Sequence, residues 1–120
     1  MSEFKFRAWD KFDRKFLSGG YDDVYLDLEG IIYKYTRDGL EPASERFIIE
    51  QYTGLRDKNG REMYEGDIFN GLHDFGPAGA VPKSGTVRFD VEQGYGWNYW
   101  YIQTIEIIGN IHENPELLER

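Results

Sequence analysis

Apolar and polar residues alternate from the first strand onward. Phe4, Phe6 and Ala8 are interleaved with Lys5, Arg7 and Trp9, a period of two that predicts a strand with one buried face. Asp10 to Arg14 supplies turn residues before Lys15-Phe16-Leu17, so an N-terminal hairpin is expected. Val24, Leu26 and Leu28 alternate with Tyr25 and Asp27, Gly30 breaks the run, and Ile31 to Thr36 is dense in β-branched and aromatic residues. That predicts a second strand pair. Arg37 to Ser44, with Asp38-Gly39 and Pro42, reads as a loop, and Arg46 to Tyr52 as the next strand. Further strands are expected over Asp67 to Asn70, Gly85 to Val91, Trp97 to Gln103 and Ile105 to Gly109. Between them, Asn70 to Ser84 carries Gly71, Gly76, Pro77, Gly79 and Pro82 and reads as a long mobile loop. Asn114-Pro115-Glu116 has the form of an N-cap, a proline in the first turn and an early acid, predicting one short C-terminal helix. With no repeat and no linker, the chain reads as a single mainly β domain over 1–120. It should be a small antiparallel sheet or barrel-like fold of about seven or eight strands, with hairpins.

Two stretches hold the candidate chemistry. In "YTGLRDKNGREMYEGDIF", Asn59-Gly60 is the pair favoured in a type I′ turn, because both central residues need positive φ. The charges around it, Arg56, Asp57, Lys58, Arg61 and Glu62, then decorate a solvated hairpin tip. Glu65 and Asp67 lie two residues apart and on an extended strand share a face, where two carboxylates can share a metal or a proton. The reading we adopt is a bend at Gly66, with Asp67 accepting backbone N–H bonds. In "EQGYGWNYWYIQ", an extended strand turns Trp97, Tyr99 and Tyr101 to one side and Trp100 and Ile102 to the other. Both sides are apolar, and two readings stay open. Either the strand crosses a barrel roofed by Asn70 to Ser84, or Trp97, Tyr99, Trp100 and Tyr101 form an interface with another chain.

Charge narrows the function classes. The 120 residues carry a formal −8 with pI near 4.7, so a phosphate backbone is repelled and direct nucleic-acid binding is not expected. Stacking of single strands on the aromatics lacks the basic groove such sites use. Residues 1 to 18 hold five basic and three acidic side chains, and residues 19 to 50 hold three and eight. Seventeen per cent aromatic residues among 40% hydrophobic ones predict a folded core. Cysteine is absent, which removes disulfides, thiol nucleophiles and cysteine-ligated zinc. With no apolar run near the ~18 residues of a membrane span and no leader-like start, a cytoplasmic protein is expected, with no membrane partner. The histidines are His73, beside Asp74 in the glycine-rich stretch, and His112, ahead of the terminal helix. No nucleophile, phosphate-loop or zinc motif accompanies them. An enzyme, a metal site and a cofactor are therefore not expected.

The segments "FKFRAWD", "QYTGLRDKNGREMYEGDIF", "GTVRFD" and "IEIIGNIHENPELL", in that order, resemble the YopX family of bacteriophage and prophage proteins. The resemblance implies a mainly β fold that assembles into a homo-oligomer, a ring built of dimers, with no established activity and no catalytic residues to transfer. Ser18 to Ser44 and Asn70 to Ser84 lie outside these motifs, so what is peculiar to this member is expected there. Two functional readings follow: a non-enzymatic oligomeric protein-binding or assembly module in a bacterial host, or an acidic modulator that mimics nucleic acid. The carboxylates behind the second are Asp22, Asp23, Asp27, Glu29, Asp38, Glu41 and Glu45.

Overall fold

A computed structural model of the chain describes residues 5–17, 24–90, 92 and 94–119. Phe4, Asp22, Asp23 and Val91, which enter the expectations above, lie outside them. The fold is mainly β, built from antiparallel pairs. The chain forms two compact units, Arg7–Glu50 and Met1–Phe6 with Gln51–Arg120, and passes between them inside strands.

In the Arg7–Glu50 unit, β1 (Phe6–Asp10) pairs with β2 (Lys15–Phe16), with Trp9 opposite Phe16. The expected hairpin forms, but its faces are exchanged. Trp9 is 5% exposed and Phe6 49%. The larger ring decides the face: Trp9 packs edge-on to Phe16 at 4.9 Å. Arg7 lays its guanidinium over the same ring at 4.6 Å while bonding Glu50 at 2.9 Å. Asp10 ends β1. Its buried carboxylate accepts the Phe12 and Asp13 N–H groups at 2.9 and 3.2 Å and a two-pronged bond from Arg46 at 3.0 and 2.8 Å. Those Arg46 bonds outweigh burial and lower the carboxyl to about 2.

The same unit holds a three-stranded sheet of β3 (Val24–Leu26), β4 (Ile32–Thr36) and β5 (Gly39–Pro42). The expected second strand pair is present. Part of the stretch read as a loop is β5, paired to β4 through Tyr35 opposite Leu40 and Tyr33 opposite Pro42. Pro42 signals a break yet is tolerated because an edge strand loses no ladder bond at a residue whose N–H faces outward. β6 (Phe47–Arg56) starts in this unit and runs four residues beyond its predicted end at Tyr52.

In the other unit, β6 continues to pair with β7 (Glu62–Tyr64), Tyr52 opposite Tyr64. β8 (Asp67–Asp74), β9 (Ala80–Thr86) and β10 (Trp100–Asn110) form a sheet in the order β10-β8-β9. The stretch expected to be a mobile loop, Asn70 to Ser84, is therefore most of a hairpin with seven register pairs. Two of its glycines serve packing, while Gly76 and Gly79 take left-handed conformations at its turn. A Cβ at Gly85 would stand 2.8 Å from the Phe69 ring opposite it, and one at Gly71 2.6 Å from Ile105 Cδ1. Only without side chains there can Phe69 and Ile105 lie on the sheet. The expected strand at Gly85 ends at Thr86. The two C-terminal strands are one, interrupted by a bulge between Tyr101 and Glu106. In that bulge Thr104 Oγ1 accepts the Leu72 N–H at 2.9 Å and donates to the Tyr101 carbonyl at 2.6 Å. Met63, Phe69, Val87, Ile105 and Ile107 make the core, flanked by Tyr95, Trp97 and Trp100.

The expected C-terminal helix is a 3-10 turn, Pro115–Glu119. Asn114 caps backward instead of forward, accepting the Asn110 N–H at 3.2 Å. Five residues are also too few for α-helical bonds to offset the cost of nucleation.

The turn after β6 contains one buried carboxylate with three duties. Asp57 Oδ1 accepts the Asn59 and Arg61 N–H groups, both at 2.9 Å, and Oδ2 accepts the Ile107 N–H at 3.0 Å. Lys58 N–H bonds the Ile105 carbonyl at 2.9 Å alongside. Burial raises the Asp57 carboxyl, yet the bonds from Ile107, Arg61 and Asn59 win and hold it below its ordinary value. The turn is not type I′. Gly60 has φ +82 and Gly60 N–H bonds the Asp57 carbonyl, but Asn59 is not left-handed. Within the turn the left-handed conformation falls on Gly60 alone, with the Asp57 side chain holding the N–H groups on either side of it, those of Asn59 and Arg61.

Three outcomes test this account. Asp57→Ala strands three backbone donors and should cost about 3 kcal/mol or more in urea unfolding, with Asp57→Asn in between. A Cβ at Gly60 would meet no atom within 4 Å, so the cost of Gly60→Val is assigned to backbone strain; about 1–2 kcal/mol is expected, and an unchanged midpoint contradicts a left-handed Gly60. Asp10, lowered to about 2 from an ordinary 3.8, contributes on the order of 2 kcal/mol above its unfolded pKa. That contribution is lost as pH falls through the folded value. Asp27, Asp57 and Glu62 are also lowered and act in the same direction. Acid unfolding followed by circular dichroism should therefore flatten in Asp10→Asn.

Candidate functional site

The core face of β8 does not end where the core ends. Phe69, Gly71 and His73 follow one another on that face, and register places Ile107 and Gly85 beside Phe69, then Trp100 and Val81 beside His73. Phe69 is buried, Trp100 and His73 are half-buried, and Phe75 and Val81 beyond them are exposed. An apolar face thus runs from the interior out to the tip of the β8–β9 hairpin.

The four aromatic residues singled out in the sequence part company here. Trp97 to Tyr99 is a 3-10 turn, so the strand begins only at Trp100 and the expected alternation fails before it. Trp97 and Trp100 both pack on Phe69, with ring centroids 5.4 and 4.8 Å away. Tyr99, 62% exposed, lies near-parallel to His73 at 6.3 Å, on the Trp100 side of the sheet. Tyr101 stands alone on the opposite face, across from Leu72 and Pro82. The result is one aromatic surface, Tyr99, Phe75 and Val81 outermost over His73 and Trp100, with Tyr101 outside it. In sequence His73 reads as part of a loop beside Asp74, and neither Phe75 nor Val81 is singled out, because the glycines and prolines of this stretch hide the strand. The alternation Phe69-Gly71-His73-Phe75 was the available signal.

His73 is ringed by Phe75 at 4.6 Å, Trp100 at 4.7 Å and Tyr99. Asp74 does not orient it: the Asp74 carboxylate accepts the Gly76 N–H at 2.8 Å. His112 sits in a turn organised by buried Asn110, whose Oδ1 accepts the His112 and Glu113 N–H groups at 3.0 and 2.9 Å. Lys83 Nζ lies 5.7 Å above the Phe75 ring at the rim of the surface.

The second candidate pair is structural in geometry. Gly66 bends the chain at φ +86. Glu65 Oε1 then accepts the Gln51 N–H at 2.9 Å, and Asp67 Oδ2 accepts the Tyr64 N–H at 2.8 Å. The two carboxylates hold two different strands, β6 and β7. Asn59 and Gly60 complete the Asp57 turn, with Asn59 Nδ2 donating to Glu106 at 3.2 Å. Among the described residues no three metal-ligating side chains gather, and no helix is long and apolar enough to cross a membrane.

No curated protein matches the chain. The crystal structure of protein EF1440 from Enterococcus faecalis is similar, with 28% identity and a TM-score of 0.54 over 98% of this chain and 99% of that one. The family model described as YopX protein matches residues 5–119, so the chain belongs to the YopX family.

Proposed function

We propose that this protein is a non-enzymatic, oligomeric protein-binding or assembly module of a phage or prophage, acting in the host cytoplasm. Family membership fits a phage-associated protein. The observation that carries the reading is the aromatic surface at the β8–β9 tip, where Tyr99 and Phe75 extend the core face into solvent. Tyrosine and phenylalanine are residues enriched at the centres of protein interfaces, and here they stand in short turns that flank the β8–β10 sheet, Tyr99 just before β10 and Phe75 just after β8. The homo-oligomer suggested by the family resemblance, a ring of dimers, is the first occupant we assign to this surface, and an unidentified protein partner the second.

Less supports the nucleic-acid mimic. Such a mimic needs exposed carboxylates in phosphate-like array, and several of the acids in this chain are engaged by the backbone. Asp27, one of those behind that reading, accepts the Glu29 and Ile31 N–H groups at 2.9 Å each.

Light scattering on Tyr99→Ala/Phe75→Ala tests the assembly reading. Both side chains are exposed, so the melting curve should stay within about 0.5 kcal/mol of the parent per site. The association constant should fall by at least about tenfold. An unchanged mass at every concentration rejects the surface as the contact.

A further inference from the structure

The sheet of β3, β4 and β5 has two unlike faces. Register sets Tyr25, Tyr33 and Pro42 in one row and Tyr35 and Leu40 in the next, all on one side. The opposite side carries buried Ile32 and, opposite Glu41, Lys34, the one basic residue within these strands. Tyr25 is 51% exposed and Tyr35 57%. Carboxylates border the tyrosine face. Asp27, just past β3, accepts the Tyr33 hydroxyl at 3.2 Å. Glu29 stands exposed in the β3–β4 turn, and Asp38 in the β4–β5 turn beside Arg37.

The same unit shows what such rings accept. Arg7 covers Phe16 at 4.6 Å, and Arg46 lies between Phe12 and Phe47, 5.2 Å from each. Among the described residues no cation lies over Tyr25 or Tyr35. We infer that this tyrosine face is a docking surface for an arginine-rich segment of a partner protein. Guanidinium planes stack on the exposed rings, and their charge meets the exposed Glu29 and Asp38 in the turns at the two ends of the sheet, Asp27 being already engaged by the backbone and Tyr33. The same carboxylates repel a phosphate backbone, which excludes nucleic acid as the occupant. The binding needs none of the residues of the β8–β10 surface, so it stands or falls apart from the assembly reading.

The test titrates the whole chain with an oligo-arginine peptide at physiological salt, following heat and the tyrosine ring resonances, with an oligo-lysine peptide of equal length as comparison. Saturable binding is expected, several-fold weaker for oligo-lysine because an ammonium stacks poorly. Tyr25→Ala/Tyr35→Ala should weaken the arginine peptide by at least about tenfold, and Tyr25→Phe/Tyr35→Phe should retain it. Equal binding by the parent and the alanine variant means charge alone is at work and overturns the inference, as does no binding. A solution mass that drops in the alanine variant assigns the face to a second copy of this chain and overturns it too.

Discussion

One buried carboxylate holds the larger unit in register. Asp57 closes the turn that follows β6 and bonds the Ile107 N–H across 50 residues of sequence. The turn and β10 therefore have one geometry relative to each other. With Lys58 bonding Ile105 beside it, the β10 strand is pinned just after its bulge, where Ile105 and Ile107 enter the core. Removing an ionised group from water is costly. Here three directed N–H bonds offset that cost, and the geometry is tolerant of little else.

The same device recurs. Asp27-Leu28-Glu29-Gly30-Ile31 repeats the bonding of Asp57-Lys58-Asn59-Gly60-Arg61. In each the aspartate side chain takes the N–H groups two and four residues on, its own N–H bonds the carbonyl of the fifth residue, and the glycine is left-handed. Asp10, Asp67, Asp74 and Asp90 also accept nearby backbone N–H groups. A chain of short strands joined by tight turns has many N–H groups that no ladder satisfies, and aspartate is the acceptor with the right reach. Part of the acidity is thus a consequence of architecture, and these aspartates say nothing by themselves about partners.

The two surfaces proposed as contacts arise for different reasons. At the β8–β9 tip, the hairpin is longer than the core beneath it, so the core face of β8 emerges into solvent as aromatic rings. In the β3–β5 sheet, three short strands have one face on the interior and tyrosines on the other. Both rest on rigid antiparallel frames, which suits side chains proposed to be contacts and not catalysts.

The short alternating runs and their turn residues determined the class of fold. The N-terminal hairpin, the Val24 to Thr36 pair and the presence of a turn at Asn59-Gly60 were legible because their signals are local: period two, then Asp, Asn or Gly. The type of that turn and the burial of Asp57, expected at a solvated tip, were not, because its third bond goes to distant Ile107. Four ordered motifs also carried the family. Other features were decided only in three dimensions. Gly71 and Pro82 read as loop breakers but serve close packing and an edge strand, because what a glycine or proline does depends on its cross-strand neighbour. The face of β1 followed Trp9 over Phe6 because burial rewards the ring that finds a partner, and Phe16 is that partner. Trp97 and Tyr99 left the strand pattern because a 3-10 turn carries them onto Phe69 and His73. Local pattern specifies which residues can alternate, while contacts between distant strands choose which face is buried, and only the folded chain contains those contacts.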